Sequence, residues 1–401
     1  MKFAILSHVL PPSPSGQAVV LYRILSGIDP RSYYLISEAS YSPSENDTGN
    51  SFYLQACYYA LSQEPHLYRP SRFGLWRVRN LINIFFSIIW RTVNILKIIR
   101  HHPVEILVAC TGDIAEIPAG FLASRINGIS FVAYIFDDYV YQWTGGYRQF
   151  AKLISPFIFR RSAGVIGPNE FICDEYRQRY SVMSTLVRNP CARDELTIKP
   201  YDQWPAENGK VKMVYTGAVY RANYDCFRNL IQAMECTLEY HLELHIFTAQ
   251  TPDELASQQV VGDNVFIHSH VPYSEILEEQ HRADILFLPL AFESPIPEVI
   301  HTSAPGKLGE YLASGRPVLA HVPADSFVAY YLRLYKCGWV ADQNDPDRLA
   351  TVIKKLVTNS RVRFEFIQNA RRQANLDFSP EIARDRLLAF LKNRTGLEVT
   401  Q

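Results

Sequence analysis

Lys307 and Glu310 stand three residues apart in the stretch HTSAPGKLGEYLASGRPVLA, His301 to Ala320. On a helix that spacing puts both side chains on one face. The ammonium can then reach a pyrophosphate while the carboxylate accepts hydrogen bonds from ribose hydroxyls. The same spacing serves equally for a solvated ion pair between the two. The flanks supply the helix. Thr302 or Ser303 offers a hydroxyl at its start, Pro305 suits the first turn and Gly315 suits the left-handed position past the end. These signals predict a helix of about ten residues, followed by a strand from Pro317 to Val322. Its amino terminus would expose unpaired N–H groups and the positive end of the helix dipole, so an anion is stabilised there.

Other positions carry chemistry less specifically. In PPSPSGQAVVLYRIL, Pro11 to Leu25, Gly16 lets backbone approach a ligand and Gln17 to Val20 present helix N–H groups; an ordinary Pro-rich turn reads the same way. Asp137 and Asp138 are adjacent, which is not the Asp-x-Asp spacing of a divalent-metal site, and no metal is expected. Asp138 either faces a cleft and orients an acceptor hydroxyl or a sugar, or caps a helix. His8, at the end of the first strand, lines the same cleft or is a satisfied structural residue. There is no G-x-S-x-G elbow, no G-x-x-x-x-G-K-[ST] phosphate loop and no H-E-x-x-H.

The elements that must position these residues follow from the pattern of the chain. The 401 residues carry 40 Lys+Arg against 40 Asp+Glu and are 48% hydrophobic, which excludes extensive disorder and bulk electrostatic capture of nucleic acid. Seven scattered cysteines with no C-x-x-C pair read as reduced, mostly buried residues of a cytoplasmic protein. Short β-branched runs alternate with helix-period segments, the pattern of parallel βα units. Strands are expected at Lys2 to His8, Tyr33 to Ser37, Val104 to Ala109, Ser130 to Phe136 and Gly164 to Gly167. After a Pro- and Gly-rich stretch they resume at Val211 to Thr216, Leu242 to Thr248, Val265 to His268, Ile285 to Leu290, Pro317 to Val322 and Gly338 to Ala341. The expected architecture is α/β: two doubly wound Rossmann-like domains facing across a cleft. Residues 1–190 form the first, 191–210 a linker, 211–378 the second, and 379–401 a terminal helix packing back on the first. Between Leu75 and Arg100 the longest run without charge, Asn80 to Trp90, is too short for the ~20 apolar residues of a membrane span. That stretch reads as a core helix, or as one that also rests on an anionic membrane surface with its aromatic and basic side chains.

The string P-x-K-x-x-E-Y-L-A-x-G-R-P-V-L-A, Pro305 to Ala320, resembles the donor-site helix of the retaining GT-B glycosyltransferases of family four, often called group 1. The segment after it, with Gly338-Trp339-Val340 before an acidic loop and a helix, is similar to that family's closing region. HRADILFLPL (His281 to Leu290) and RRSAGVIGPNEFICDEYRQRY followed by VRNP resemble two further family segments in the same order. The resemblance implies the GT-B fold and transfer of a sugar, with retention, from a nucleotide-diphosphate donor to a carbohydrate or lipid-linked acceptor. It implies no cofactor and no metal. On it, Gly217 would form a glycine loop at the donor phosphates, with Lys307 and Glu310 on the donor and the Gly16 loop beside it. The chain departs from the pattern at Thr302, where the family has an acid, and at Ala218 and Asn223, where it has an Arg and a Lys. Thr302, Ser303 and Arg221 are the substitutes within reach. The expected setting is cell-surface polysaccharide assembly, in the cytoplasm at the inner face of its membrane. A non-catalytic nucleotide-sugar-binding scaffold and a nucleotide-sugar epimerase are the competing readings.

Overall fold

Runs of buried Ile, Val, Leu and Ala become the inner strands of two all-parallel sheets. The computed structural model describes residues 1–41, 52–64, 76–192, 195–196, 204–205, 209–221, 223–269 and 271–395. Residues 1–189 and 380–401 form one compact unit and residues 190–379 another. The described residues of the stretch expected as a linker thus belong to the second unit.

In the first unit the strands are β1 (Phe3–Leu6), β2 (Tyr33–Ser37), β3 (Cys57–Ala60), β4 (Ile106–Cys110), β5 (Ser130–Tyr134), β6 (Gly164–Gly167) and β7 (Ser184–Leu186). Their spatial order is β3-β2-β1-β4-β5-β6-β7. Helices α1 (Gly16–Leu25), α2 (Trp76–His101), α3 (Glu116–Asn127), α4 (Gly145–Phe159) and α5 (Glu170–Tyr180) lie between them. Every residue of β1, β2, β4, β5 and β6 is buried, as a parallel sheet covered on both faces requires. The edge strands β3 and β7 are half-exposed, and their lack of an apolar run hides them in the sequence.

The second unit repeats the plan with β8 (Val211–Thr216), β9 (Leu242–Phe247), β10 (Val265–His268), β11 (Ile285–Pro289), β12 (Val318–His321) and β13 (Trp339–Ala341), in the order β10-β9-β8-β11-β12-β13. Its helices are α6 (Tyr224–Glu235), α7 (Pro252–Ser257), α8 (Tyr273–Arg282), α9 (Pro297–Thr302), α10 (Lys307–Ala313), α11 (Phe327–Tyr335), α12 (Pro346–Thr358) and α13 (Ser360–Asp377). The chain then returns to the first unit as α14 (Pro380–Lys392). Ala383, Leu387, Phe390 and Leu391 join the core that contains Phe3, Ile24 and Val132. The fit is close, since a Cβ on Gly164 would collide with the Phe390 ring and one on Gly27 with the Arg384 guanidinium.

The Leu75 to Arg100 stretch becomes α2, which has one buried and one exposed apolar side. Ile84, Ile88, Ile95 and Ile99 are buried, while Phe85, Phe86 and Ile89 are exposed. Arg72 and Leu75 lie outside the described residues.

Candidate functional site

The carboxyl end of β8 builds the site in the second unit. Gly217 follows the strand with φ +121°, a conformation that L side chains rarely adopt. Its N–H donates to the Phe247 carbonyl at 2.8 Å, which holds the turn to β9. Here the Lys307 side chain arrives: a Cβ on Gly217 would lie 2.7 Å from Lys307 Nζ. The ammonium also sits 5.3 Å from the centre of the Tyr215 ring. Among the described residues Lys307 forms no ion pair, with Glu310 or any other carboxylate. The two residues singled out in separate parts of the sequence are thus brought together, and the cation is left for an anion to meet.

Neighbouring side chains fix this geometry. The Thr216 N–H donates to the Tyr311 hydroxyl at 3.2 Å, and Gln280 Nε2 donates to Thr216 Oγ1 at 3.0 Å. Burial pushes the Tyr311 phenol up to about 12, against the opposing pull of Lys307, so it stays protonated. Asn223, where the family has a lysine, ties down the loop: its Oδ1 accepts from the Tyr220 N–H at 2.9 Å and its Nδ2 donates to the Tyr215 hydroxyl at 3.3 Å. The Tyr215 hydroxyl in turn donates to the Ala218 carbonyl at 2.6 Å. A polar residue after a strand-ending glycine is a weak signal, and nothing else in the sequence marks these contacts.

Several expected roles are revised. The helix holding Lys307 has seven residues rather than ten, because α9 intervenes before it. Thr302 is the last residue of α9, is buried, and its hydroxyl donates to the Glu298 carbonyl at 3.1 Å. Ser303 is extended and closes α9. Neither caps α10, whose N-cap is Gly306 with no side-chain hydrogen bond. Pro305 stands just ahead of α10, and its carbonyl accepts from the Leu308 N–H at 3.0 Å. Gly315 has φ +75°, in keeping with its reading as the helix terminator. Arg221 lies in an exposed turn, and no contact among the described residues joins it to Lys307. Glu310 is half-buried on α10.

Asp138 is buried and engaged within its own unit, contrary to an acceptor-orienting role. One oxygen accepts the N–H groups of Val140 and Tyr141, both at 2.9 Å, and the other pairs with Arg179. It caps a turn rather than a helix. Gly16 opens α1 behind the Ser15 cap, and nothing lies within 4 Å of where its Cβ would stand. Among the described residues no group of three or more His, Cys, Asp or Glu is placed to hold a metal ion.

A second polar centre lies at the carboxyl ends of β2 and β4 in the first unit. Arg91 of α2 joins three carboxylates: Glu38 at 2.9 Å, Asp113 at 2.7 Å, and Glu64. They line a cavity of about 350 Å³ together with Asn80, Asn83 and Ser87. Beside it His8 Nδ1 lies 3.6 Å from Glu116 Oε2. Burial pushes the Glu116 carboxyl up to about 7, although the neighbouring His8 opposes it. Burial works to lower His8, but the adjacent Glu116 outweighs it and the imidazole is raised.

Residues 210–359 match the family model described as Glycosyl transferases group 1. This stretch is thus similar to group 1 glycosyl transferase domains. The site at Gly217 and Lys307 lies within it. A glycosyltransferase from Rickettsia africae ESF-5 superposes on the whole chain with a TM-score of 0.69 at 12% identity, covering 99% of both chains. Anabaena Alr3699/HepE, solved in complex with UDP, gives a TM-score of 0.70 at 11% identity over 98% of this chain and 100% of its own. WaaG, a glycosyltransferase involved in lipopolysaccharide biosynthesis, gives 0.61 at 16% identity over 96% of this chain and 98% of its own. The fold is therefore GT-B, two Rossmann-like units in one chain. No curated protein matches the sequence.

Proposed function

We propose that the protein is a glycosyltransferase that moves a sugar from a nucleotide-diphosphate donor to a carbohydrate or lipid-linked acceptor, with retention at the anomeric carbon. The observation that carries the reading is the Lys307 ammonium held against the side-chain-free Gly217 with no ion-pair partner among the described residues. A lysine in that place stabilises the diphosphate as it departs, and stabilisation of developing charge by a fixed cation is a large part of such catalysis. Glu310, one turn along α10, holds the ribose hydroxyls. This division of labour invokes no protein nucleophile and no metal. The polar cavity around Arg91 suits acceptor hydroxyls, since its carboxylates and amides both accept and donate. Complexes of HepE with UDP and with UDP-glucose support a uridine donor as the first to test. WaaG, involved in lipopolysaccharide biosynthesis, supports a place in cell-surface polysaccharide assembly.

The test is thermal stabilisation by UDP, GDP, CDP, ADP, dTDP and CMP. A ligand that binds only the native state raises the melting temperature. One diphosphate should do so, and Lys307→Ala should remove ~1.5–3 kcal/mol of that binding while leaving the ligand-free melting point unchanged. Glu310→Ala should weaken binding of the same nucleotide. Unchanged nucleotide affinity in a folded Lys307→Ala protein would discard the diphosphate role.

A further inference from the structure

Helices α2, α3 and α4 expose large apolar side chains that the core of the first unit leaves uncovered. On α2, Leu81, Ile82, Phe85, Phe86, Ile89 and Val93 are all exposed, Ile89 to 62%. Leu122 and Ile126 extend the set on α3, and Leu153 and Phe157 on α4. The three helices meet: the Phe85 ring stands edge-on to Phe150 at 5.6 Å, and Phe121 to Phe157 at 5.7 Å. Apolar side chains at this density form a patch rather than the scattered exposure normal for a soluble surface.

The exposed charge on these three helices has one sign. Lys97 and Arg100 on α2, Arg125 on α3 and Lys152 on α4 are exposed, as are Arg160 and Arg161 directly after α4. Neither α2 nor α4 contains an acid, and the one acid of α3, Glu116, is buried against His8. This asymmetry is local, because the chain as a whole balances 40 cations with 40 acids. Arg161 stacks over the Phe157 ring at 4.4 Å, so cation and apolar surface are interleaved.

We propose that this face lies flat on an anionic lipid bilayer, with its apolar side chains at the boundary of headgroups and acyl chains and its cations on the lipid phosphates. Two alternatives fit less well. The stretch Arg79–His101 is long and apolar enough to cross a membrane, but 44% of its most apolar window is buried in the first unit, so spanning would strip the core of Ile84, Ile88, Ile95 and Ile99. A second copy bound by two-fold symmetry would set the patch against itself and bring cations onto cations with no acid between them. The inference rests on the first unit alone and stands whether or not the second transfers sugar.

Sedimentation of the full chain with vesicles tests it, and the assay needs no nucleotide. Phosphatidylcholine vesicles containing phosphatidylglycerol should carry the protein down, and pure phosphatidylcholine should not. Added salt should weaken the binding. Phe85→Ser with Phe86→Ser and Ile89→Ser should weaken it at least about tenfold, and so should Lys152→Glu with Arg160→Glu and Arg161→Glu. Phe364→Ser, at an equally exposed ring in the second unit, should change nothing. If the triple α2 variant does not fold, Leu153→Ser with Phe157→Ser on α4 decides in the same assay. Failure to bind anionic vesicles, equal binding to neutral ones, or indifference to the variants would overturn the proposal. A concentration-dependent dimer dispersed by the α2 variant, without vesicle binding, would give the face to a second copy instead.

Discussion

Gly217 and Gly16 look alike in the sequence, each a glycine at a strand-to-helix connection, yet they carry different constraints. Gly217 has φ +121° and no room for a Cβ beside Lys307, whereas Gly16 stands in open space within its unit. Gly217→Ala should therefore cost about 1–3 kcal/mol of stability through backbone strain and, by displacing the ammonium, weaken diphosphate binding as Lys307→Ala does. Gly16→Ala should stay within about 0.5 kcal/mol of the parent in denaturant melts. A Gly217→Ala protein with unaltered nucleotide affinity would mean that the lysine position is incidental. Lys307 was legible as a cation at the start of a helix, although its spacing to Glu310 served equally for a solvated ion pair between the two. Its partner Gly217 was legible only by ordinal position in a resembling family, since a lone glycine after a strand says little. For Asp138 two readings stayed open in the sequence, because Arg179, which pairs with it, lies on α5, 41 positions further along the chain.

At the level of elements, strands with buried runs announce themselves and edges do not. β3 is CYYA and β7 is STL, both half-exposed, so neither has the apolar run or the alternation that marks a strand. The helix expected from Thr302 or Ser303 begins only at Lys307, because Thr302 ends α9 and satisfies its hydroxyl on the carbonyl four residues back rather than at a cap, a choice made by backbone geometry and not by residue type. The start of α3 holds a feature that no pattern reveals, the buried Glu116 beside His8. The folded pKa of Glu116 is raised to about 7 from 4.5, so the folded chain binds the extra proton between those values. Its stabilising contribution is complete below pH ~4.5 and is lost as pH rises through ~7; the raised His8 acts in the same direction at the upper end of that window. Stability should thus fall by at most ~3 kcal/mol from pH 5 to 7.5 on account of this pair. Glu116→Gln should flatten the slope in melts across that range, and an unchanged slope would assign the pH dependence elsewhere.

The whole chain contains two sets of cores, and its last helix belongs to the first. Apolar residues from α14 share a core with β1, β4 and β5, while the core around Met213, Phe227 and Phe287 is built from residues 190–379 alone. Each sheet can therefore lose stability without loss of packing within the other. Phe390 offers the cleanest separation, because its ring fills the space above Gly164 within the core of the first unit. Phe390→Ala should destabilise the first unit by about 3–5 kcal/mol. Nucleotide should instead protect the second unit, with slowed hydrogen exchange at β8, its following loop and α10. Two calorimetric transitions should result, the lower one moved by Phe390→Ala and the other by the diphosphate. A single transition shifted equally by both would show that the two units melt as one. In that case protection by nucleotide would spread to β1 and β4, and exchange at those strands would measure how strongly donor binding is coupled to the unit that carries the Arg91 cavity.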